Sequence, residues 1–297
     1  MGTVRATLAL SGTRPAAYWA LAKPDVTFLV VLTTALGYFA GSRGPLDYIA
    51  LIHVTLATLL LSAGTAALNQ YVERAPDALM RRTAARPLPA GILSPREALI
   101  FSVSLAITGL VWLFFLVNPL AGLLGAASCI TYLALYTPLK TRTPWCTFVG
   151  AFPGAVPPLI GWAAARNSLG PEAWLLFAIL FVWQFPHFLA IAWIYREDYA
   201  RAGIRMLPVV DPSGRSTFRQ IVGYSAVLIP VSILPSVAGA AGPRYLFGAL
   251  VLGLALLVMS LWVAREQTNR SAMWLMHSTV VYIPVLLALL VFDKIAG

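Results

Sequence analysis

The sequence predicts an all-α protein, a polytopic membrane helical bundle of nine transmembrane helices that takes up residues 1–297 as one domain. Composition is the first ground for this. Hydrophobic residues make up 59% of the chain, charged residues 11%, and mean hydropathy is +0.80, whereas about a quarter of a soluble domain is charged. Nine charge-free segments are the second ground: about 26–41, 49–71, 98–117, 119–137, 145–165, 173–195, 220–241, 245–264 and 271–291. Most approach the ~20 residues that cross ~30 Å of hydrocarbon. The third ground is where the cations fall. The net charge of +10 lies between apolar runs rather than along one soluble face, which reads as topology signals and anion ligands, with no nucleic acid as partner.

Residues 1–24 form a cytoplasmic N-terminal segment with Arg5, Arg14 and Lys23. Gly and Ser break its apolar stretch well short of a secretory core, so no cleaved signal is expected. The first span is short. The second closes on Asn69-Gln-Tyr-Val-Glu73-Arg74-Ala-Pro76-Asp77 and then, within ten residues, Arg81, Arg82 and Arg86. An amide and two carboxylates four residues apart offer oxygen ligands to a hard cation, and guanidinium forks suit phosphate oxygens. The combination predicts a magnesium and diphosphate site at a membrane surface. On a helix of 3.6 residues per turn, positions i, i+4 and i+8 drift by ~40° per step, so Asn69, Glu73 and Asp77 could share a face. Pro76 predicts an end or kink before Asp77, which then falls on a loop or on a new short helix.

The fourth span runs into Tyr136-Thr-Pro-Leu-Lys140-Thr-Arg142, a short loop whose two cations and hydroxyls suit a diphosphate. Within the sixth lie Gln184 and His187, the latter just after Pro186 in an apolar run where a polar group usually faces the bundle interior. That span ends on Arg196-Glu197-Asp198-Tyr199, which repeats the acid and base chemistry of residues 69–86. Two carboxylate-bearing loops on one side could meet across a cavity and hold magnesium bridging a diphosphate. His53 and His277 read as core or interface residues. Cys129 and Cys146 lack the spacing of a metal site or disulfide.

Counting Lys and Arg by side separates 17 from 4 of the 21, with the N-terminus on the basic side and the C-terminus opposite. By the positive-inside rule the N-terminus and both long loops are cytoplasmic and the C-terminus is outside. Almost every charge sits at a span end, which argues against an ion-driven transporter with midplane ionisable groups.

The segment Asn69-x3-Glu73-x3-Asp77-x2-Met80-x-Arg82-Thr83 with Arg86-Pro-Leu-Pro, together with Tyr136-Thr-Pro-Leu-Lys140, resembles the UbiA superfamily of intramembrane prenyltransferases. Three further stretches are similar to its protohaem IX farnesyltransferase (haem O synthase) family: Gly150-x2-Pro153-Gly-Ala-x-Pro157-Pro158-x2-Gly161-Trp162, Trp183-Gln-Phe-Pro-His187-Phe188 and Arg196-Glu-Asp198-Tyr199-x3-Gly203-x2-Met206. The final span adds Ser278-x3-Tyr282-x-Pro284. The resemblance implies the UbiA-type prenyltransferase fold in a bacterial-type inner membrane. The implied activity is transfer of the farnesyl group of farnesyl diphosphate, with addition of water, to a vinyl group of haem b, giving haem O and diphosphate in haem A biosynthesis.

By that resemblance magnesium is the cofactor, haem b is a substrate, membrane lipid surrounds the site, and a haem A synthase is a partner to consider. Asn69, Glu73 and Asp77 are the implied first metal set, Asp198 belongs to the second, and with Lys140 these are the implied catalytic residues. Arg82, Arg86, Tyr136, Arg142, Gln184, His187, Arg196 and Tyr199 are implied to bind substrate. His187 ligates haem iron, bonds a propionate, or is satisfied by a helix carbonyl. Tyr132, Trp145, Phe185 and Trp193 are candidates to face a carbocation. Wider relatives carry Asp at the position of Glu73 and a second acid at that of Ala202, so the second metal set is thinner here.

Overall fold

The computed structural model describes residues 13–294. Arg5 of the charge count therefore lies outside the described residues, as does much of the expected N-terminal segment. A short helix α1 (Arg14–Leu21) precedes the first span, α2 (Pro24–Gly41). There follow α3 (Tyr48–Val72), short α4 (Arg74–Leu79), α5 (Pro95–Val117), α6 (Pro119–Leu139), α7 (Cys146–Arg166) and α8 (Pro171–Ile194). Short helices α9 (Arg196–Arg201) and α10 (Leu207–Val210) lead to α11 (Arg215–Val237), α12 (Pro243–Glu266) and α13 (Asn269–Phe292). Among the described residues nine of these helices are long and apolar enough to cross a membrane, in the expected order. The apolar count misplaces ends where helices run on into charged residues: α11 begins at Arg215 rather than near 220. Long basic side chains let it do so, because they carry their charge to the interface from a helical stem.

Local chemistry sets the helix starts. Proline opens α2, α5, α6, α8 and α12, where its fixed φ suits a first turn and its missing N–H costs no bond. Asp47 caps α3 by accepting from Ile49 and Ala50 N–H at 3.0 Å, and a Ser94–Glu97 capping box starts α5.

As the sequence predicts at Pro76, the span ends before Asp77, which lies on the new short helix α4. Glu73 ends α3 and caps α4, so Pro76 falls in the first turn of a new helix, where backbone donors have no partner in any case. Glu73 N–H reaches the Asn69 carbonyl at 2.9 Å and Asp77 N–H the Glu73 carbonyl at 2.8 Å, which carries the i, i+4 register through the joint.

Two close-packed pairs shape one half of the bundle. A Cβ on Gly64 of α3 would strike the backbone of α5 at Ala106, and one on Gly109 of α5 would strike α3 at Leu61, so small residues on both sides let these backbones meet. Gly37 of α2 and Gly161 of α7 make the equivalent approach. The other half is a core of α8, α11, α12 and α13 around Ile221, Leu228, Tyr245, Leu275 and Ile283. Buried polar bonds tie it: Trp183 Nε1 donates to the Thr279 carbonyl at 2.8 Å, and Ser232 meets the Tyr282 hydroxyl at 2.8 Å. Each such bond between membrane helices contributes about 0.6 kcal/mol.

The described cations follow the predicted division. At one end Lys23 meets Asn69, the Arg205 amide donates to the Lys140 carbonyl, and Arg196 reaches Asn269. At the other end Arg166 and Lys294 bond carbonyls at the close of α2.

Candidate functional site

A cavity of about 360 Å³ opens between the two halves at the basic end. Its inner wall is apolar, with Val30, Leu61, Ile160, Phe188 and Ile191, while Lys23, Asn69, Glu73, Asp77, Arg82, Arg86 and Lys140 line the mouth. Glu73 pairs with Lys140 at 2.6 Å, each side chain 12% exposed, and Asp77 Oδ2 pairs with Arg86 at 2.6 Å. Removing such charges from water costs several kcal/mol per ion, so buried pairs are weak evidence of a stability role and need another reason.

Asn69 is buried and joins three elements: its Oδ1 accepts from Lys23 Nζ at 3.1 Å and from the Tyr132 hydroxyl at 3.4 Å, and its Nδ2 donates to Thr137 at 3.2 Å. A π-helical turn over Thr131–Tyr136 sets both Tyr132 and Tyr136 into the lining, and the Lys140 ammonium sits 4.5 Å from the Tyr136 ring centre. Arg82 stacks over Tyr195 at 4.7 Å and reaches the Tyr199 hydroxyl at 3.5 Å.

Lys23 was counted in the sequence only as a topology charge. It stands in a left-handed turn between α1 and α2 (φ 46°), and burial, with repulsion from Arg86 and Lys140, lowers its pKa to about 7. Burial is the strongest single influence on Lys140 and opposes its charge, but Glu73, Tyr132 and Tyr199 together hold the Lys140 pKa above its ordinary value. The local signal for Lys23 is a cation directly before the Pro-Asp that opens the first span.

Not every predicted residue arrives here. Asp198 is buried outside the cavity lining: it accepts from the Arg81 and Arg82 amides at 3.4 and 3.3 Å and pairs with Arg201. Its neighbour Tyr199 does line the cavity. Arg142 is exposed and outside the lining. Arg196 stacks on Trp193 and bonds Asn269 at 2.6 Å, bracing α8 to the start of α13. Gln184 lines the cavity and donates to the Ala151 and Leu180 carbonyls. His187 instead meets Thr279 Oγ1 at 2.8 Å and stacks on Trp183, between α8 and α13.

Of the four aromatic residues considered for a carbocation, only Tyr132 lines this cavity. Trp145 is exposed, Phe185 stacks on Tyr224 and Trp193 packs on Phe218. His53 accepts from Trp112 Nε1 at 2.9 Å, as an interface residue would, whereas His277 is exposed rather than in the core. Both cysteines are free thiols.

A divalent cation fits the mouth. Asp77 Oδ1 is buried with no hydrogen-bond partner, and the oxygens of Asn69 and Glu73 share its lining. Among the described residues no three His, Cys, Asp or Glu side chains lie close enough to form a metal cluster by themselves. The donor set suits magnesium, which commonly takes one or two carboxylates and completes its shell with water and phosphate oxygens.

A model of the UbiA prenyltransferase family matches residues 30–287. A protein of Solibacter usitatus named protoheme IX farnesyltransferase is 50% identical over 286 residues, covering 93% of this chain and 98% of the relative. One of the same name from Koribacter versatilis is 45% identical, covering 93% of each. Among solved structures, a digeranylgeranylglyceryl phosphate synthase superposes with a TM-score of 0.78 at 18% identity over 93% of this chain and 97% of that one. A UbiA homologue of Archaeoglobus fulgidus bound to GPP and Mg2+ gives 0.65 at 16% identity over 92% and 99%. Those two likenesses show the fold. The chain belongs to the UbiA prenyltransferase family.

Proposed function

We propose that this UbiA-family chain transfers the farnesyl group of farnesyl diphosphate to a vinyl carbon of haem b, with addition of water, giving haem O and diphosphate. The naming of relatives 50% and 45% identical over nearly the whole chain supports the acceptor and the donor. One observation carries the chemistry: a buried, unsatisfied carboxylate oxygen of Asp77 stands among four cations at the mouth of an apolar cavity.

Diphosphate leaves only when its developing charge is neutralised, and fixed charges do this best where water is scarce. Lys23, Arg82, Arg86 and Lys140 are that fixed charge. Lys140 and Arg86 are held on Glu73 and Asp77 in the free protein, which keeps them inside the cavity until a stronger anion draws them off. Asn69, Glu73 and Asp77 would then hold magnesium, which supplies Lewis-acid neutralisation of the diphosphate when bound. Asp198 is assigned a different task from the one the resemblance implies: it holds the Arg81–Arg82 backbone so that Arg82 faces the cavity.

The bond between farnesyl C1 and oxygen breaks with its electron pair on the diphosphate, and the vinyl carbon supplies the pair for the new carbon–carbon bond. The cation left beside the porphyrin takes water and loses a proton. Tyr132 and Tyr136 line the cavity where a cationic chain end would be formed, and aromatic rings stabilise such a charge. The basic end, with the site, faces the cytoplasm of the cell that makes it.

Purified protein with haem b, farnesyl diphosphate and magnesium should yield a haem heavier by one farnesyl group and one hydroxyl, read by mass spectrometry. Unmodified haem b beside a prenylated hydroxybenzoate would move the assignment to a ring acceptor.

A further inference from the structure

A second cavity, of about 470 Å³, opens at the opposite end of the bundle. Leu36, Leu176, Leu180 and Leu287 give it apolar walls, and Arg43, Arg166 and Lys294 lie at its rim, where α2, α7 and α13 end. None of these cations pairs with a carboxylate among the described residues; the only acid in the lining, Glu172, forms no ion pair. This differs from the first cavity, where Glu73 and Asp77 each hold a cation.

Capping of α2 accounts for part of this charge. Lys294 Nζ donates to the Phe39 and Ser42 carbonyls at 2.8 and 2.9 Å, and Arg166 Nε donates to the Gly41 carbonyl. The cap leaves both Nη groups of Arg166 and the whole Arg43 guanidinium without a hydrogen-bond partner among the described residues. Burial, and after it repulsion from Arg166, lowers the Lys294 pKa.

We propose that this cavity binds an anionic phospholipid, its phosphate among Arg43, Arg166 and Lys294 and part of an acyl chain between the leucines. The cations stand at span ends, the depth of lipid headgroups, and the apolar walls run inward from them, so the charge and the depth both match a bilayer lipid. The site does not depend on the transferase assignment.

The test uses the full chain in detergent. Native mass spectrometry and thermal shift are read with phosphatidylglycerol, phosphatidylcholine and inorganic phosphate as separate probes. Phosphatidylglycerol should be retained and should raise the melting temperature; phosphatidylcholine should do so less. Arg43→Gln, which removes an exposed and unbonded side chain, should weaken phosphatidylglycerol about fivefold, the scale of one basic residue at a membrane surface. Ala40→Phe fills the cavity from α2 and should abolish retention without touching a cation. Equal retention of both lipids, full binding in Ala40→Phe, or equal stabilisation by inorganic phosphate would each overturn the proposal. So would a haem b titration that weakens in Arg43→Gln while lipid binding stands, since the cavity would then serve the carboxylates of the acceptor.

Discussion

Residues 69–86 and 195–216 look alike as sequence: each follows a charge-free span, and each alternates acid with base. In the folded protein they do different things. The first segment points Asn69, Glu73, Asp77, Arg82 and Arg86 into the cavity. The second spends most of its acids on backbone: Asp198 holds the amides of Arg81 and Arg82, and Asp211 holds that of Ser216 at 2.8 Å. A carboxylate beside a membrane is therefore read by what its oxygens already hold. A carboxylate whose two oxygens each hold an amide, one of them an arginine as well, has little left for a metal, and an oxygen buried without a partner has everything left.

The largest effect should come from the unsatisfied oxygen. Asp77→Asn removes the charge but keeps the shape, so the chain should still insert and fold, while turnover falls on the order of 100-fold or more, the scale of losing one preorganised charge-stabilising group. The magnesium concentration for half-maximal rate should rise with it. Normal turnover and normal magnesium dependence in that variant would erase the difference between the two segments.

Asp198→Asn should act next and in another way. It leaves an acceptor for one amide and loses the pairing with Arg201, so the loop bearing Arg82 loosens. Turnover should fall about tenfold with KM for farnesyl diphosphate raised, the magnitude of disturbing an outer support of a site. Magnesium half-saturation should stay where it was. A shift equal to that of Asp77→Asn would make Asp198 a metal ligand and the two segments equivalent after all.

The same comparison runs within α8, where Gln184 and Phe188 line the cavity and His187 turns to α13. His187→Ala should cost about 1 kcal/mol of stability, the worth of one hydrogen bond, with haem b titrating as before. Weakened haem binding in a variant of normal melting temperature would return His187 to the site.

These differences show where the sequence stops being legible. Spans, their order and the gathering of basic loops at one end follow from hydropathy and charge alone, because both are set by the bilayer rather than by partners. The 69–73–77 register was legible too, as was the helix end that Pro76 imposes before Asp77; which of loop or new short helix would carry Asp77 was not. What needed coordinates was every pairing across the fold. Nothing local in Lys23 announces Asn69, 46 residues on, and nothing in Asp198 announces the amides of Arg81 and Arg82, more than a hundred residues back. The second cavity was hidden for the same reason: Arg43, Arg166 and Lys294 lie far apart in sequence and are neighbours only at the bundle end.

The smallest effect tests the second segment where it is furthest from the chemistry. Asp211 is half-buried, and its carboxyl accepts from the Ser213 hydroxyl and the Ser216 and Ser213 amides, which lowers its pKa to about 2. The folded value lies below the ordinary value of ~3.9, so the folded state favours the charged form. The stabilisation is complete above pH ~4 and is lost as pH falls through the folded value. Asp211→Asn should therefore lower the melting temperature slightly at pH 7, and the gap from the parent protein should close as pH drops from 4 toward 2. Farnesyl transfer per folded molecule should not change. If the variant instead loses turnover at pH 7 with an unchanged melting temperature, residues 195–216 do more than brace the first segment, and the division between site and support lies elsewhere.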